Sequence, residues 1–342
     1  VALSANNSPR PPQTPVPTLV SPHNPVPTLA PPATQANGLG VSDNLANLPN
    51  SVRDEQLQKL QQTGVTWLRK DIEWRGAERS QGHYDWSTND PTVAAAHRFG
   101  IKTLLVVGYA PLWAAGPKQP NCTKDRCSPA DTPVAVAAFG AFVGQTAKHY
   151  CHAPYNAAAI EVWNEPNLSK YWPDPNPTLY VKALKSAYAA IKATGCKITV
   201  LLGGLGDTTC AGCYSSSDFL AAVYTSGGRG LFDAVGNHPY IAGIPTAQTW
   251  QPSLLHAIMA KHDDAGKKVW ATEFAYSSQM LGAAKQASYM QAAVQTFQGY
   301  PWAGPLFWFT FQDAVGSKGF GLVDPSGSPK PALDKFGELA HT

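Results

Sequence analysis

Charged side chains are scarce in this 342-residue chain. Asp, Glu, Lys and Arg make up only 14% of it, and 26 basic against 23 acidic residues leave a net charge of +3. That balance supplies no basic field for nucleic acid and no acidic tail. No run of eighteen apolar residues occurs, so no membrane-spanning helix is expected. No strand-like run is followed by GxGxxG. Gly203-Gly204-Leu205-Gly206 is rich in glycine, but no third glycine stands at the offset a dinucleotide site requires. HExxH and clustered acids are also missing, so neither a metal nor a cofactor is expected. No signal peptide is visible, and the chain begins at Val1 rather than Met, which suggests a processed or trimmed N-terminus.

Cysteine is present in an informative pattern, at 122, 127, 151, 196, 210 and 213. Six cysteines allow fifteen pairings. Cys122 with Cys127 and Cys210 with Cys213 are close pairs among Gly, Pro, Ser and Thr, as loop staples are, and they leave Cys151 with Cys196. Zinc is the competing reading, because Cys210-Ala-Gly-Cys213 has ligand spacing, yet no second CxxC or nearby His pair completes a site. Disulfides imply an oxidising compartment, and hence a secreted or cell-surface protein.

Residues 1–35 are rich in Pro, Thr, Ser and Asn, with Pro-Val-Pro-Thr-Leu occurring at both 15–19 and 25–29. Such a segment cannot bury a core and favours an extended polyproline conformation, as a linker or as a ligand for an aromatic groove. From residue 36 to 342 strands alternate with helices. Strands are expected near 38–42, 65–69, 101–107, 159–164, 197–202, 232–240, 268–272 and 305–310. Each is followed by a helical pattern, several of which stop at a glycine such as Gly64, Gly100 or Gly195. The strands are continuous apolar runs, as when both faces are covered. Eight such units over about 300 residues describe a (β/α)8 TIM barrel in one catalytic domain; an open doubly wound sheet is the alternative.

Active sites of these barrels lie where the strands end. Strand two ends in Arg69-Lys70-Asp71, and strand three is followed by Tyr109 and Trp113. Strand four runs through Trp163 into Asn164-Glu165-Pro166-Asn167. Strand six ends in His238-Pro239-Tyr240, strand seven in Glu273, and strand eight offers Trp308, Phe311, Gln312 and Asp313. Two carboxylates on nearly opposite strands suit glycosidic cleavage, in which one holds a proton for the leaving oxygen and the other is ionised. Indole faces suit sugar rings. Both Asn164 and Glu165 must reach the sugar, although neighbours on a regular strand point to opposite faces, so an irregularity or bulge is expected there. Alternation also turns Glu161 inward, where a buried carboxylate needs a partner. Cys151 and Cys196 fall in adjacent loops at the opposite, N-terminal face, and the other two pairs fall on the site's side.

Residues 36–342 resemble the clan A glycoside hydrolases, retaining enzymes on (β/α)8 barrels, and most of all the cellulase-like branch near glycoside hydrolase family 39. The motifs that carry the resemblance are Trp163-Asn164-Glu165-Pro166-Asn167, His238-Pro239-Tyr240 and Trp270-Ala271-Thr272-Glu273-Phe274. The resemblance implies Glu165 as acid/base and Glu273 as nucleophile. It further implies Asn164 on the sugar 2-hydroxyl, Tyr240 against the nucleophile, Arg69 holding that nucleophile ionised, and Trp308 as the floor of the sugar site. His238 is expected to hydrogen-bond in the site or core rather than ligate a metal. Trp113, Trp172 and Trp250 either line subsites or pack loops, Tyr276 is a further cleft candidate, and Asp174 and Asp313 read as solvated carboxylates. The expected function is hydrolysis of a polysaccharide or cell-surface glycan by a monomer with a carbohydrate substrate and no nucleic-acid partner. A transglycosylase with the same glutamates, or a silent glycan-binding barrel, are the alternatives; endo or exo action is open.

Overall fold

The computed structural model describes residues 38–45, 48–115, 126–208 and 210–341. The Pro-rich segment 1–35 and Cys122 lie outside the described residues. Eight parallel strands close into a barrel in chain order. They are β1 (Leu39–Ser42), β2 (Trp67–Glu73), β3 (Lys102–Gly108), β4 (Ala159–Asn164), β5 (Thr199–Gly206), β6 (Ala234–His238), β7 (Lys268–Phe274) and β8 (Ala303–Trp308). The expected (β/α)8 architecture is the observed one.

β2 runs four residues past the apolar pattern. Lys70, Asp71 and Glu73 are charged, which disguised them, yet they pair in register with Leu105, Val106 and Gly108 of β3. The helices begin where local chemistry says they should. Pro133–Tyr150 opens with a proline, whose missing N–H would be unpaired there anyway, behind Thr132, which accepts from the Ala135 N–H at 3.2 Å. Pro177–Ala193 repeats the device with Asn176 and Leu179 at 3.0 Å. Three one-turn helices, Trp74–Ala77, Leu112–Ala115 and Ser278–Leu281, lie in the loops after β2, β3 and β7. They are too short to show a periodicity.

The barrel interior is layered. Trp67, Leu104, Ala159, Leu201, Ala234, Trp270 and Phe307 form an apolar plug near the strand starts, with Trp67 and Trp270 edge to face at 5.2 Å. Two residues further along their strands stand Arg69, Glu161 and Thr272, a polar layer resting on that plug. The helices cover the outside through two larger clusters. No helix among the described residues is long and apolar enough to cross a membrane.

Cys151 and Cys196 are bonded, with Cα atoms 6.0 Å apart, in the loops after helices Pro133–Tyr150 and Pro177–Ala193, at the N-terminal face. Cys210 and Cys213 are bonded in the loop after β5, with Cα atoms 5.3 Å apart. Cys127 is also disulfide-bonded, and no described cysteine is free. Cys210 and Cys213 are thus paired as a loop staple, the disulfide reading of the two.

Candidate active site

The end of β4 departs from a regular strand. Trp163 and Glu165 both have left-handed backbones, with φ of 78° and 44°, rare for side chains of this size. The turn at Trp163 sends its indole outward, where its ring lies 5.7 Å from Phe139 and 4.8 Å from Trp172. Its N–H donates to the Tyr171 carbonyl at 3.0 Å. Glu161 and Asn164, three residues apart, can therefore both face inward. Pairing with β5 does not slip here, since Val162 opposes Leu202 and Asn164 opposes Gly204. The slip lies one strand over, between Leu202 and Leu205 against β6. The irregularity expected at Asn164-Glu165 is thus a pair of left-handed residues beside a bulged neighbour.

The glycines of β5 make room for the site. A Cβ on Gly204 would lie 2.2 Å from His238 Nε2, and one on Gly206 would lie 2.5 Å from Glu165 Oε1. Neither contact is sterically possible. This run is a hollow for side chains from β4 and β6, which the spacing of its glycines alone does not reveal.

Arg69 is the hub. Its Nε donates to Glu161 Oε2 at 2.7 Å, and Nη1 to Ser42 Oγ at 3.2 Å and Glu273 Oε1 at 3.1 Å. Its Nη2 reaches Asn164 Oδ1 at 2.8 Å and His238 Nε2 at 3.3 Å. The other oxygen of Glu161 accepts from Thr272 at 2.8 Å. The inward carboxylate on β4 therefore has the partners it needs.

The imidazole tautomer follows from these contacts. A guanidinium only donates, so His238 Nε2 accepts and the ring proton sits on Nδ1. From there it is donated to Glu165 Oε1, 2.8 Å away. Burial first, and then Arg69, hold His238 well below its ordinary 6.5, so the ring is neutral. Glu165 is 1% exposed, and its Oε2 has no hydrogen-bond partner among the described residues. With Oε1 taken by a donor, a proton on Glu165 belongs on Oε2.

Glu165, His238 and Glu273 each bring one polar atom within 4.8 Å of the others. The two carboxylates therefore face each other across a short gap. The trio does not suit a cation: Nδ1 carries a proton, and the other tautomer would set Nε2–H against the Arg69 N–H.

Burial raises both carboxyls. For Glu165 the push is largest, from burial and then the charge of Glu273, so it stands well above the usual carboxylate range. Glu273 is pushed up to about 7 by burial, against the pull of Arg69 and the hydrogen bond from Tyr240. Arg69 and Tyr240 favour the charged form as expected, but desolvation outweighs them. The Tyr240 hydroxyl donates to Glu273 Oε2 at 3.2 Å. Glu165 is the group that keeps its proton longer.

Other candidates are placed differently. Trp308 does not floor the site. It is fully buried outside the barrel, edge to face with Phe274, and its N–H donates to the Phe320 carbonyl at 2.8 Å. The β8 aromatic beside Arg69 is the next residue, Phe309, two residues after Phe307 of the interior plug, so plain alternation along β8 turns Trp308 outward. Tyr276 is also outside the gap, with its hydroxyl tied to the Gly243 carbonyl at 2.7 Å. Trp172 and Trp250 are buried loop packing. Trp113 lines an open groove of about 590 Å³ with Glu73, Arg75 and Arg79. Asp174 is exposed. Asp313 is not solvated: it is 8% exposed and paired with Lys330 at 2.8 Å. Sequence reasoning gave no role to Asp71, Ser42 or Thr272. The available signals were that Asp71 stands two residues after Arg69 and Thr272 directly before Glu273; Ser42 pairs with Arg69 only in the folded sheet.

Comparison with known proteins places this geometry in context. The family model for cellulase, glycosyl hydrolase family 5, matches residues 34–308. Among solved structures, a family 39 glycoside hydrolase from the gut symbiont Bacteroides cellulosilyticus WH2 has a TM-score of 0.71 at 23% identity, over 89% of this chain and 63% of that one. A β-xylosidase from Caulobacter crescentus CB15 has a TM-score of 0.65 at 20% identity, over 91% of this chain and 69% of that one. For an exo-β-1,4-mannosidase from Opitutaceae bacterium strain TAV5 the score is 0.64 at 18%, over 92% and 61%. This chain thus spans less than two thirds of the Bacteroides enzyme's length. No curated protein matches the chain. At such identities the structures speak for the fold, and the family model for descent: the chain belongs to the cellulase family, glycosyl hydrolase family 5, in clan A.

Proposed function

We propose that the protein is a secreted, retaining glycoside hydrolase acting on a polysaccharide or cell-surface glycan by double displacement. One observation carries the reading: two buried carboxyls meet within 4.8 Å, and the more basic of them has a bare oxygen. That separation fits the short class, in which a carboxylate attacks directly and no water intervenes. Glu273 Oε attacks the anomeric carbon. The glycosidic C–O bond breaks, and the Glu165 Oε2 proton passes to the leaving oxygen. The product is a glycosyl ester on Glu273 and an ionised Glu165. Esterification removes the negative charge that held the Glu165 proton, so Glu165 can now act as a base. Water gives it a proton and attacks the anomeric carbon, and Glu273 departs as a carboxylate. His238 keeps Oε1 occupied, so the same Oε2 serves in both steps. The disulfides support an oxidising, extracytoplasmic setting.

The test compares wild type with Glu165→Gln on aryl glycosides of graded leaving-group pKa. General acids contribute about 10²- to 10⁴-fold. The expected loss approaches that range for poor leaving groups and shrinks for activated ones. Equal losses across the series would remove Glu165 from the acid role. A 2-fluoro-glycoside should label Glu273.

A further inference from the structure

Asp71 stands two residues after Arg69 on β2, on the same inward face and one layer nearer the mouth. It is 8% exposed, yet its carboxylate accepts no hydrogen bond from any described residue. The neighbouring cations are engaged elsewhere. All five Arg69 N–H groups are directed to Glu161, Ser42, Glu273, Asn164 and His238. The Lys70 ammonium takes Asn44, Asn89 and the Asp71 backbone carbonyl. The Asp71 oxygens are not among the sealed atoms without a partner; they open on the recess, where a ligand or water can supply the donor.

Asp71 lines a recess of about 30 Å³ with Asp43, Asn44, Arg69, Phe309 and Thr310. Asp43 is already clasped by the Thr310 hydroxyl and the Phe311 N–H. The recess thus sets two carboxylates next to the nucleophile, beside Ser42, whose hydroxyl accepts from Arg69 and keeps its own hydrogen, and Asn44, whose amide oxygen is taken by Lys70. Its volume accommodates about one water-sized group, such as a hydroxyl.

We propose that Asp71 is a specificity residue, accepting a hydrogen bond from a hydroxyl of the sugar seated against Glu273, and that this sugar is neutral. A uronate or sulfated sugar would bring a second negative charge against Asp71 and Asp43. The proposal rests on the glycosidase reading, and deepens it by naming which side chain reads the sugar. Burial raises the Asp71 carboxyl, against the pull of Arg69 and Lys70, so a donor from the substrate also relieves its charged form.

The experiment uses the full chain and the p-nitrophenyl glycoside that wild type turns over best, with its monodeoxy analogues. Wild type is expected to lose on the order of 10- to 100-fold in kcat/KM when one particular hydroxyl is removed, the range for a hydrogen bond to a charged group. Asp71→Ala should erase that penalty and leave the penalties at other positions intact. Unchanged penalties at every position, in a variant still labelled at Glu273 by a 2-fluoro-glycoside, overturn the proposal. Asp71→Asn, closest in shape, serves if the alanine variant does not fold. If wild type neither turns over nor labels, the glycosidase reading has failed by itself. Calorimetry with a neutral monosaccharide and its uronate then decides: preference for the neutral sugar that Asp71→Asn abolishes supports the role. Equal binding of both, or no binding of either, refutes it.

Discussion

Glu273 should make the protein less stable as the pH rises, and the size of the effect can be worked from the site. Its carboxyl is pushed from an ordinary 4.5 up to about 7, by burial that outweighs Arg69 and Tyr240. A group whose folded pKa exceeds its unfolded value binds its proton more tightly in the native state. The stability this confers is complete below about pH 4.5 and is lost as the pH climbs through about 7. At ~1.4 kcal/mol per pH unit, the loss comes to about 3 kcal/mol. Glu273→Gln keeps the shape, cannot ionise and escapes that loss. The variant should match wild type near pH 4.5 and exceed it by about 3 kcal/mol at pH 7.5. In it Glu165 no longer faces a charged neighbour, which adds to the gap with the same sign. Urea unfolding at pH 4.5, 5.5, 6.5 and 7.5 reads this directly, and the ten tryptophans supply the fluorescence. A constant offset between the two proteins across that range would show that burial does not govern this carboxyl, and would undo the electrostatic account of the pair.

Three further outcomes follow from the same geometry. Gly206→Ala places a methyl 2.5 Å from Glu165 Oε1 and forces that side chain to shift; a displacement of ~1 Å should cost on the order of 10²-fold in kcat, with far-UV circular dichroism unchanged. Glu161→Gln removes a charge that raises both Glu165 and Glu273, so both limbs of the pH–rate profile should move to lower pH, whereas a loss of activity without movement would make Glu161 a mere prop. Replacing Cys151 and Cys196 with serine opens a 45-residue loop at the far face, which should lower unfolding free energy by about 4 kcal/mol while leaving kcat and KM at 25 °C unaltered.

The strands were legible because parallel strands covered on both sides must be apolar throughout, as Leu104 to Val107 are. The helices were legible because proline and glycine mark their ends. Glu165 and Glu273 could be set near each other from the sequence because residues at the C-terminal ends of strands in this architecture converge on one rim. What failed depended on register. Trp308 and Phe309 are adjacent aromatics at the end of β8, and which of them faces the cleft follows from Phe307 pointing inward, which an aromatic run Phe-Trp-Phe does not disclose. Asp313 looked solvated because its partner Lys330 comes from a later turn. The fully committed guanidinium of Arg69, which leaves Asp71 without a donor, is a property of five contacts at once. No local pattern announces it.

The hollowed stretch of β5 has a practical corollary for anyone redesigning this protein. Saturation libraries usually target residues whose side chains are seen near a ligand, and Gly204 and Gly206 have none to see. Yet any replacement there lands on the His238 imidazole or on the Glu165 carboxyl. A mutational scan of this stretch should yield a block of inactive clones with normal expression, mapping the acid's surroundings from positions that show only backbone.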